Sequence, residues 1–372
     1  MMKRLIYAIA IGLALLLPAP ARAQGGIPQP CVDGTLEGGA LSRLCVPIGW
    51  NGQLVVFAHG YVASGLPLGF YHLTLADGTS VSDLVQSLGF AFATTSYRKN
   101  GLAILEGVED MKLLVAKFAA TYSTPLRTYV AGISEGGLVT ALLAERSPEL
   151  FSSALAACGP VGSFRAQVGY FGDFRVLFDY FFPGILPGSA IDIPPALMAN
   201  WYTAYVPAVT VALASNPARA LELMRTANAP FDPANPATVV NTALDLLWYN
   251  VFATNDAVAE LGGNPFDNRL RWYFGSSNDL RLNLRVARFA ASPAALLALR
   301  PYRTSGNLSI PLVTLHTTAD DVIPIWQELV YLLKFDPSAR GRFIPIPVNR
   351  YGHCNFTTQE LLGAFVLAVQ QP

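Results

Sequence analysis

Short apolar runs recur along the chain and alternate with segments whose apolar positions return every three or four residues. Residues 54–58, 90–97, 128–132, 153–158, 311–317 and 342–348 read as strands, the first of them stopped by His59-Gly60. Runs that are apolar on both faces and bounded by Gly or Pro suit a parallel sheet covered by helices. Between them, residues 108–120 place Met111, Leu114, Val115 and Phe118 at helical spacing. Residues 137–146 read as a second helix, stopped by Ser147-Pro148, because the residue before a proline avoids helical backbone. Alternation of this kind predicts an α/β fold with a doubly wound, mostly parallel sheet. A site is then expected at the carboxyl ends of the strands.

The rhythm changes between residues 159 and 301. Strand signals fade, and helix starts take over at Asn216-Pro217, Asn235-Pro236 and Ser292-Pro293. At Asn216-Pro217 and Ser292-Pro293 a capping side chain precedes a proline at the first helical position, and Asn235-Pro236 opens a longer apolar helix. A stretch this long is no loop. The chain therefore divides into residues 1–23, a core of residues 24–158 and 302–372, and an inserted helical cap or lid of residues 159–301.

Residues 1–23 read as an export signal. Lys3 and Arg4 precede an apolar run from Leu5 to Leu17, and Ala21-Arg22-Ala23 supplies small residues at a cleavage point. The run is shorter than the ~20 residues a membrane span needs, and residues 197–214 are broken by Asn200, Thr203, Pro207 and Thr210. The expected location is secreted or periplasmic, without a stable membrane span. Net charge is zero and charged residues are 13% of the chain, so no basic face points to nucleic acid. Four cysteines in an exported chain favour disulfides over metal. Cys31 with Cys45 is the local pair, and Cys158 with Cys354 follows by elimination; buried free thiols are the alternative. No CxxC or HxxxH spacing occurs, so neither a metal nor another cofactor is expected.

The candidate chemistry starts at Gly132-Ile133-Ser134-Glu135-Gly136, a GxSxG motif after one predicted strand and before a predicted helix. Its glycines allow a sharp strand-to-helix turn that lifts the serine hydroxyl above the sheet edge. A serine nucleophile needs a base, usually histidine, and the chain has four histidines. His59 ends a strand, His72 lies in a turn-rich segment and His316 sits inside a strand, where a core role fits. His353 follows the last strand in Tyr351-Gly352-His353-Cys354, in the chain order Ser, acid, His.

The segment His316-Thr317-Thr318-Ala319-Asp320-Asp321-Val322-Ile323-Pro324 resembles the HGxxDxxVP segment of α/β-hydrolases. That resemblance implies the α/β-hydrolase fold and makes Asp320 the acid, with Asp321 as the rival. Thr317 departs from the usual glycine. Phe57-Ala58-His59-Gly60-Tyr61 resembles the oxyanion segment of the same family, which implies that the backbone N–H groups of Tyr61 and Glu135 bind the oxyanion. A cysteine beside the histidine is similar to tannase-like and feruloyl-esterase-like enzymes, where a disulfide ties the His loop to the serine turn. Here the residue before Ser134 is Ile133, so that arrangement is not reproduced, and Cys158 is the candidate tether instead.

The cap carries an aromatic stretch: Tyr170, Phe171, Phe174, Phe178, Tyr180, Phe181 and Phe182, then Ile185 and Leu186. It reads either as cap core or as an apolar pocket over Ser134. The leading expectation is a secreted serine hydrolase that cleaves small or polymeric carboxylic esters with hydrophobic parts through an acyl-enzyme. The second is a serine peptidase of the same fold, a proline-preferring aminopeptidase, which needs cap carboxylates to hold a substrate amine; Asp173, Asp179 and Asp192 are scattered for that task. A non-catalytic binding protein on a hydrolase fold is the third.

Overall fold

The computed structural model describes residues 25–336 and 339–371, so the export signal read at residues 1–23 lies outside the described residues. All six predicted strands form: β3 (Gln53–Ala58), β4 (Ala91–Thr95), β5 (Arg127–Ile133), β6 (Ser153–Ala157), β7 (Leu312–Ala319) and β8 (Phe343–Tyr351). They pair in parallel in the order β4-β3-β5-β6-β7-β8. Two further strands, β1 (Val32–Thr35) and β2 (Leu41–Cys45), extend the sheet antiparallel at the β4 edge. The full order β1-β2-β4-β3-β5-β6-β7-β8 is that of the α/β-hydrolase fold. The two added strands carry no continuous apolar run because an edge pair is half solvated. The Cys31–Cys45 disulfide and the Arg43–Asp33 ion pair (2.7 Å) hold them together.

Helices cover both faces of the sheet. On one side α2 (Ile104–Thr121) and α3 (Glu135–Arg146) bury Met111, Leu114, Leu138 and Leu142 against Leu54, Val56 and Val130. On the other, α1 (Val81–Ser87) and α12 (Thr358–Val369) close over Val55, Phe57, Leu155 and Val313. Helix α3 is buried almost all round, which is why its sequence lacks the polar stripe of a surface helix.

Between β6 and β7 the chain runs through α4 (Phe164–Phe181), α5 (Pro195–Ala199), α6 (Val206–Ser215), α7 (Pro217–Ala227), α8 (Ala237–Glu260), α9 (Asp279–Arg285) and α10 (Pro293–Ala298). The caps read from sequence form as hydrogen bonds: Asn216 accepts from Arg219 N and Ser292 from Ala295 N. These helices share a core of their own, built on Phe174, Phe178, Trp201, Leu223 and Leu246. Among the described residues no helix is long and apolar enough to cross a membrane.

The second disulfide joins Cys158, at the end of β6, to Cys354, after β8, across 196 residues of chain. In urea unfolding, replacing Cys158 and Cys354 together by Ser is expected to cost about 5 kcal/mol and replacing Cys31 and Cys45 about 3 kcal/mol, the chain-entropy difference between long and short loops. Equal costs would show that the longer bridge restrains the unfolded chain no more than the short one.

Candidate active site

Three sheet-edge turns bring the predicted side chains together. Between β5 and α3 the backbone reverses at Ser134, with φ +54° and ψ −121°. A non-glycine residue rarely holds such a conformation, and here neighbouring backbones fix it. A Cβ on Gly132 would lie 2.2 Å from Gly136 O, and one on Gly136 would lie 2.1 Å from Ala58 O. Only bare glycines let β5, α3 and β3 approach this closely. The Ser134 amide donates to Ala157 O at 2.9 Å, so it is already engaged inside the fold.

His353 stands in the turn after β8, between Gly352 and the disulfide-bonded Cys354. Its Nε2 is 2.9 Å from Ser134 Oγ, and its Nδ1 is 2.8 and 3.0 Å from the two oxygens of Asp320. A carboxylate partner keeps the proton on Nδ1, which leaves Nε2 to accept from the serine hydroxyl. The two sulfurs beside this imidazole are bonded to each other and offer no thiolate to a metal.

Asp320 is fully buried at the end of β7. Its Oδ1 also accepts from the amides of Val322 (3.0 Å) and Ile323 (2.7 Å). The rival Asp321 does not touch His353; its Oδ2 accepts from the Tyr351 hydroxyl at 3.2 Å. Thr317, the departure from the expected glycine, donates from Oγ1 to Gly352 O at 2.7 Å and so ties the acid strand to the histidine turn. A glycine could not make that bond.

His316 has a larger part than a filled core position. Its Nε2 donates to Ile323 O at 2.7 Å and its Nδ1 faces Glu328 Oε1 at 3.0 Å. Glu328 accepts from the Thr314 hydroxyl through its other oxygen. Burial works against a charge on His316, but the Glu328 hydrogen bond and nearby Asp320 outweigh it and raise its pKa. Ile323 is the shared element: its amide serves Asp320 while its carbonyl serves His316.

Tyr61, Ser134 and Glu135 line one apolar cavity of about 80 Å³. The Tyr61 hydroxyl donates to Phe252 O in α8 at 3.1 Å. The Glu135 carboxyl accepts from the Ala103 amide at 3.1 Å, and burial pushes it up to about 8. It is therefore protonated at neutral pH. His59 donates to Gly60 O at 2.7 Å and stacks on Tyr97 at 4.0 Å, while burial lowers it to about 4. That leaves it a neutral structural ring. His72 stands nearer the serine than its surroundings in sequence suggest: a Cβ on Gly60 would meet Ser134 Cβ at 3.2 Å and His72 Cε1 at 3.7 Å.

Most of the aromatics in the stretch predicted as a cap turn inward. Tyr170, Phe174, Phe178, Phe181, Phe182 and Leu186 are buried in the helical core, and Phe171 reaches the cavity beside Ser134. Of the cap carboxylates, Asp173 is held by Arg271 and by the Tyr273 hydroxyl, Asp179 by Arg175, and Asp192 is exposed. None of the three lines a cavity containing Ser134 or His353. Sequence reading missed Tyr249 and Asp245 of α8. The Tyr249 ring stacks on Phe171 at 4.9 Å and lines the cavity beside Ser134. The signal was a lone acid, Asp245, in the apolar run 243–248.

No family model and no curated protein matches the chain. Among solved structures it is similar to the acylaminoacyl peptidase of Pyrococcus horikoshii, with 13% identity and a TM-score of 0.44 over 89% of this chain. The chain spans only 38% of that peptidase. An esterase of Pyrococcus furiosus aligns at 12% identity and TM-score 0.48, over 92% of this chain and 88% of its own. The proline iminopeptidase of Mycobacterium smegmatis aligns at 14% identity and TM-score 0.46, over 91% and 97%. At such low similarity the names carry no activity over to this chain.

Because the folded pKa of His316 is raised, the His316–Glu328 contact stabilises fully below the ordinary value of 6.5 and fades as pH climbs through the raised one. The stability gap between wild type and Glu328→Gln in urea unfolding should therefore narrow above pH 6.5. A gap that stays constant or widens there would contradict a protonated His316.

Proposed function

We propose that the chain is a serine hydrolase of carboxylic esters with apolar acyl groups, acting through an acyl-enzyme on Ser134. The observation that carries this reading is the continuous chain Ser134 Oγ, His353 Nε2, His353 Nδ1, Asp320, with links of 2.9 and 2.8 Å. His353 takes the serine proton as Oγ attacks the ester carbonyl, and Asp320 steadies the imidazolium that forms. The amides of Tyr61 and Glu135 are assigned to the oxyanion, Glu135 being the first residue of α3, where the helix end favours negative charge. His353 gives its proton to the departing alcohol and then activates water against the acyl-enzyme.

The small cavity suits the acyl group. Phe164, Phe171, Val168 and Leu102 line it beside Ser134, and the one carboxyl there, Glu135, is neutral at pH 7. A peptidase that anchored a substrate amine on Asp173 or Asp179 has less support, since both are already paired with arginines. Export to an oxidising compartment fits the two disulfides. Helices α4 to α10 serve as the cap over Ser134, with α8 supplying the wall nearest the hydroxyl.

Against a panel of p-nitrophenyl esters and aminoacyl nitroanilides, the esters should be hydrolysed. Ser134→Ala should then lose at least ~10³-fold in kcat. Asp320→Asn should lose far more activity than Asp321→Asn, because Asp320 alone bonds His353. Turnover of the nitroanilides alone would favour the peptidase, and equal losses in the two Asp variants would overturn the choice of acid.

A further inference from the structure

A second cavity, about 450 Å³, opens on the other side of Tyr249. His353 lines it, together with Asp245, Asp321, Trp248, Tyr249 and Tyr351. Asp321 is 1% exposed, and its Oδ1 has no hydrogen-bond donor among the described residues. A second carboxyl, Asp245 of α8, lines the same cavity and interacts with Asp321 across the seam between α8 and the loop after β7. Among the described residues neither carboxyl forms an ion pair with Lys or Arg; the other charged groups they sense are Asp320 and His353. The Tyr351 hydroxyl bonds Asp321 Oδ2, and the Tyr170 hydroxyl bonds its carbonyl. Two facing carboxyls in such a place require something positive between them, either a proton or a ligand.

The chemistry of the step fixes which part of a substrate lies here. The alcohol oxygen must receive its proton from His353, so the leaving group occupies the cavity that His353 lines. The smaller cavity holds Ser134 but not His353, and takes the acyl part. We propose that the larger cavity is a leaving-group subsite for a cation, and that the preferred substrates are esters of amino alcohols. This rests on the esterase reading above. The ammonium would lie in the cavity against Asp245 and Asp321, with the rings of Trp248 and Tyr351 on the same lining adding cation–π attraction. In acylation the Ser134 Oγ–carbonyl bond forms and the carbonyl–alkoxy bond breaks; the amino alcohol departs neutral at oxygen with the proton of His353, its ammonium unchanged.

Without substrate the pair holds a proton below about pH 7. Desolvation at the cavity rim, and then the facing Asp321, push the Asp245 carboxyl up to about 7. Burial and then Asp320 raise Asp321 as well. Asp245 is therefore neutral below about pH 7 and charged above it, and attraction for a cation strengthens as pH rises through that value. A ratio between charged and uncharged esters cancels what the two reactions share and so isolates the pair.

The test compares butyrylcholine with 3,3-dimethylbutyl butyrate, which differ in charge but hardly in shape. For wild type, kcat/KM should favour the cationic ester by about tenfold or more, and the ratio should rise between pH 6 and 8. Asp245→Asn and Asp321→Asn should each bring the ratio towards one and flatten its pH dependence, with folding checked by circular dichroism. A wild-type ratio near one, or a ratio unchanged in both variants, would overturn the cation subsite while leaving the esterase reading in place. If no ester of any kind is hydrolysed, the esterase reading fails instead. Binding then decides the subsite: tetramethylammonium should saturably quench Trp248 fluorescence in wild type and not in Asp245→Asn, and no saturable binding would overturn it.

Discussion

The fold is arranged around one backbone turn that an isolated chain would not adopt. At Ser134 a non-glycine residue holds a positive φ of 54°, a conformation that costs on the order of 1–3 kcal/mol. The surrounding packing outweighs that cost. Gly132 and Gly136 bring backbone against backbone, and the Ser134 amide is spent on Ala157 O. Helix α3, buried from Glu135 to Ala144, cannot shift to relax the turn. The serine hydroxyl is therefore held above the edge of a parallel sheet, where the turns after β3, β7 and β8 also end.

Those turns support one another rather than standing alone. Thr317 binds the carbonyl of Gly352, and Cys158 is bonded to Cys354, so the histidine turn is fixed on both sides of His353. Behind Asp320, Ile323 links two hydrogen bonds: its amide holds the carboxylate and its carbonyl holds His316, which rests on Glu328. A change at Glu328 therefore reaches Asp320 through a single residue. Polar chains of this kind are strong only when every member is satisfied, and each polar atom of the His316 ring here has a partner.

Much of this was legible in the chain because apolar runs and glycine spacing are local signals. The strands 54–58 and 128–132 and the turn around Ser134 follow from patterns of a few residues, while Asp320 follows from the family resemblance of residues 316–324. Strands β1 and β2 did not, since an edge pair with one solvated side shows no apolar run. Tyr249 and Asp245 were hidden for a different reason: their role depends on how α8 lies over the sheet, which no local pattern specifies. The cap aromatics went the other way, where a conspicuous sequence feature turned out to be mostly helical core. Thr317 departs from the glycine of the family segment, and its bond to Gly352 explains it through a contact 35 residues distant.

Tyr249 divides the space at Ser134 into two unlike compartments. One is small, apolar and lined by the turns assigned to the oxyanion; the other is larger, open and lined by His353 with two carboxyls. In the proposed reaction the attacking hydroxyl lies between them, with the acyl group on one side and the leaving group on the other. All of this depends on Ser134 being a nucleophile activated by His353. Treatment with diisopropyl fluorophosphate followed by peptide mass mapping tests that directly. The account predicts one phosphyl adduct, on Ser134, that His353→Ala abolishes; an unmodified protein, or an adduct on a different serine, would contradict it.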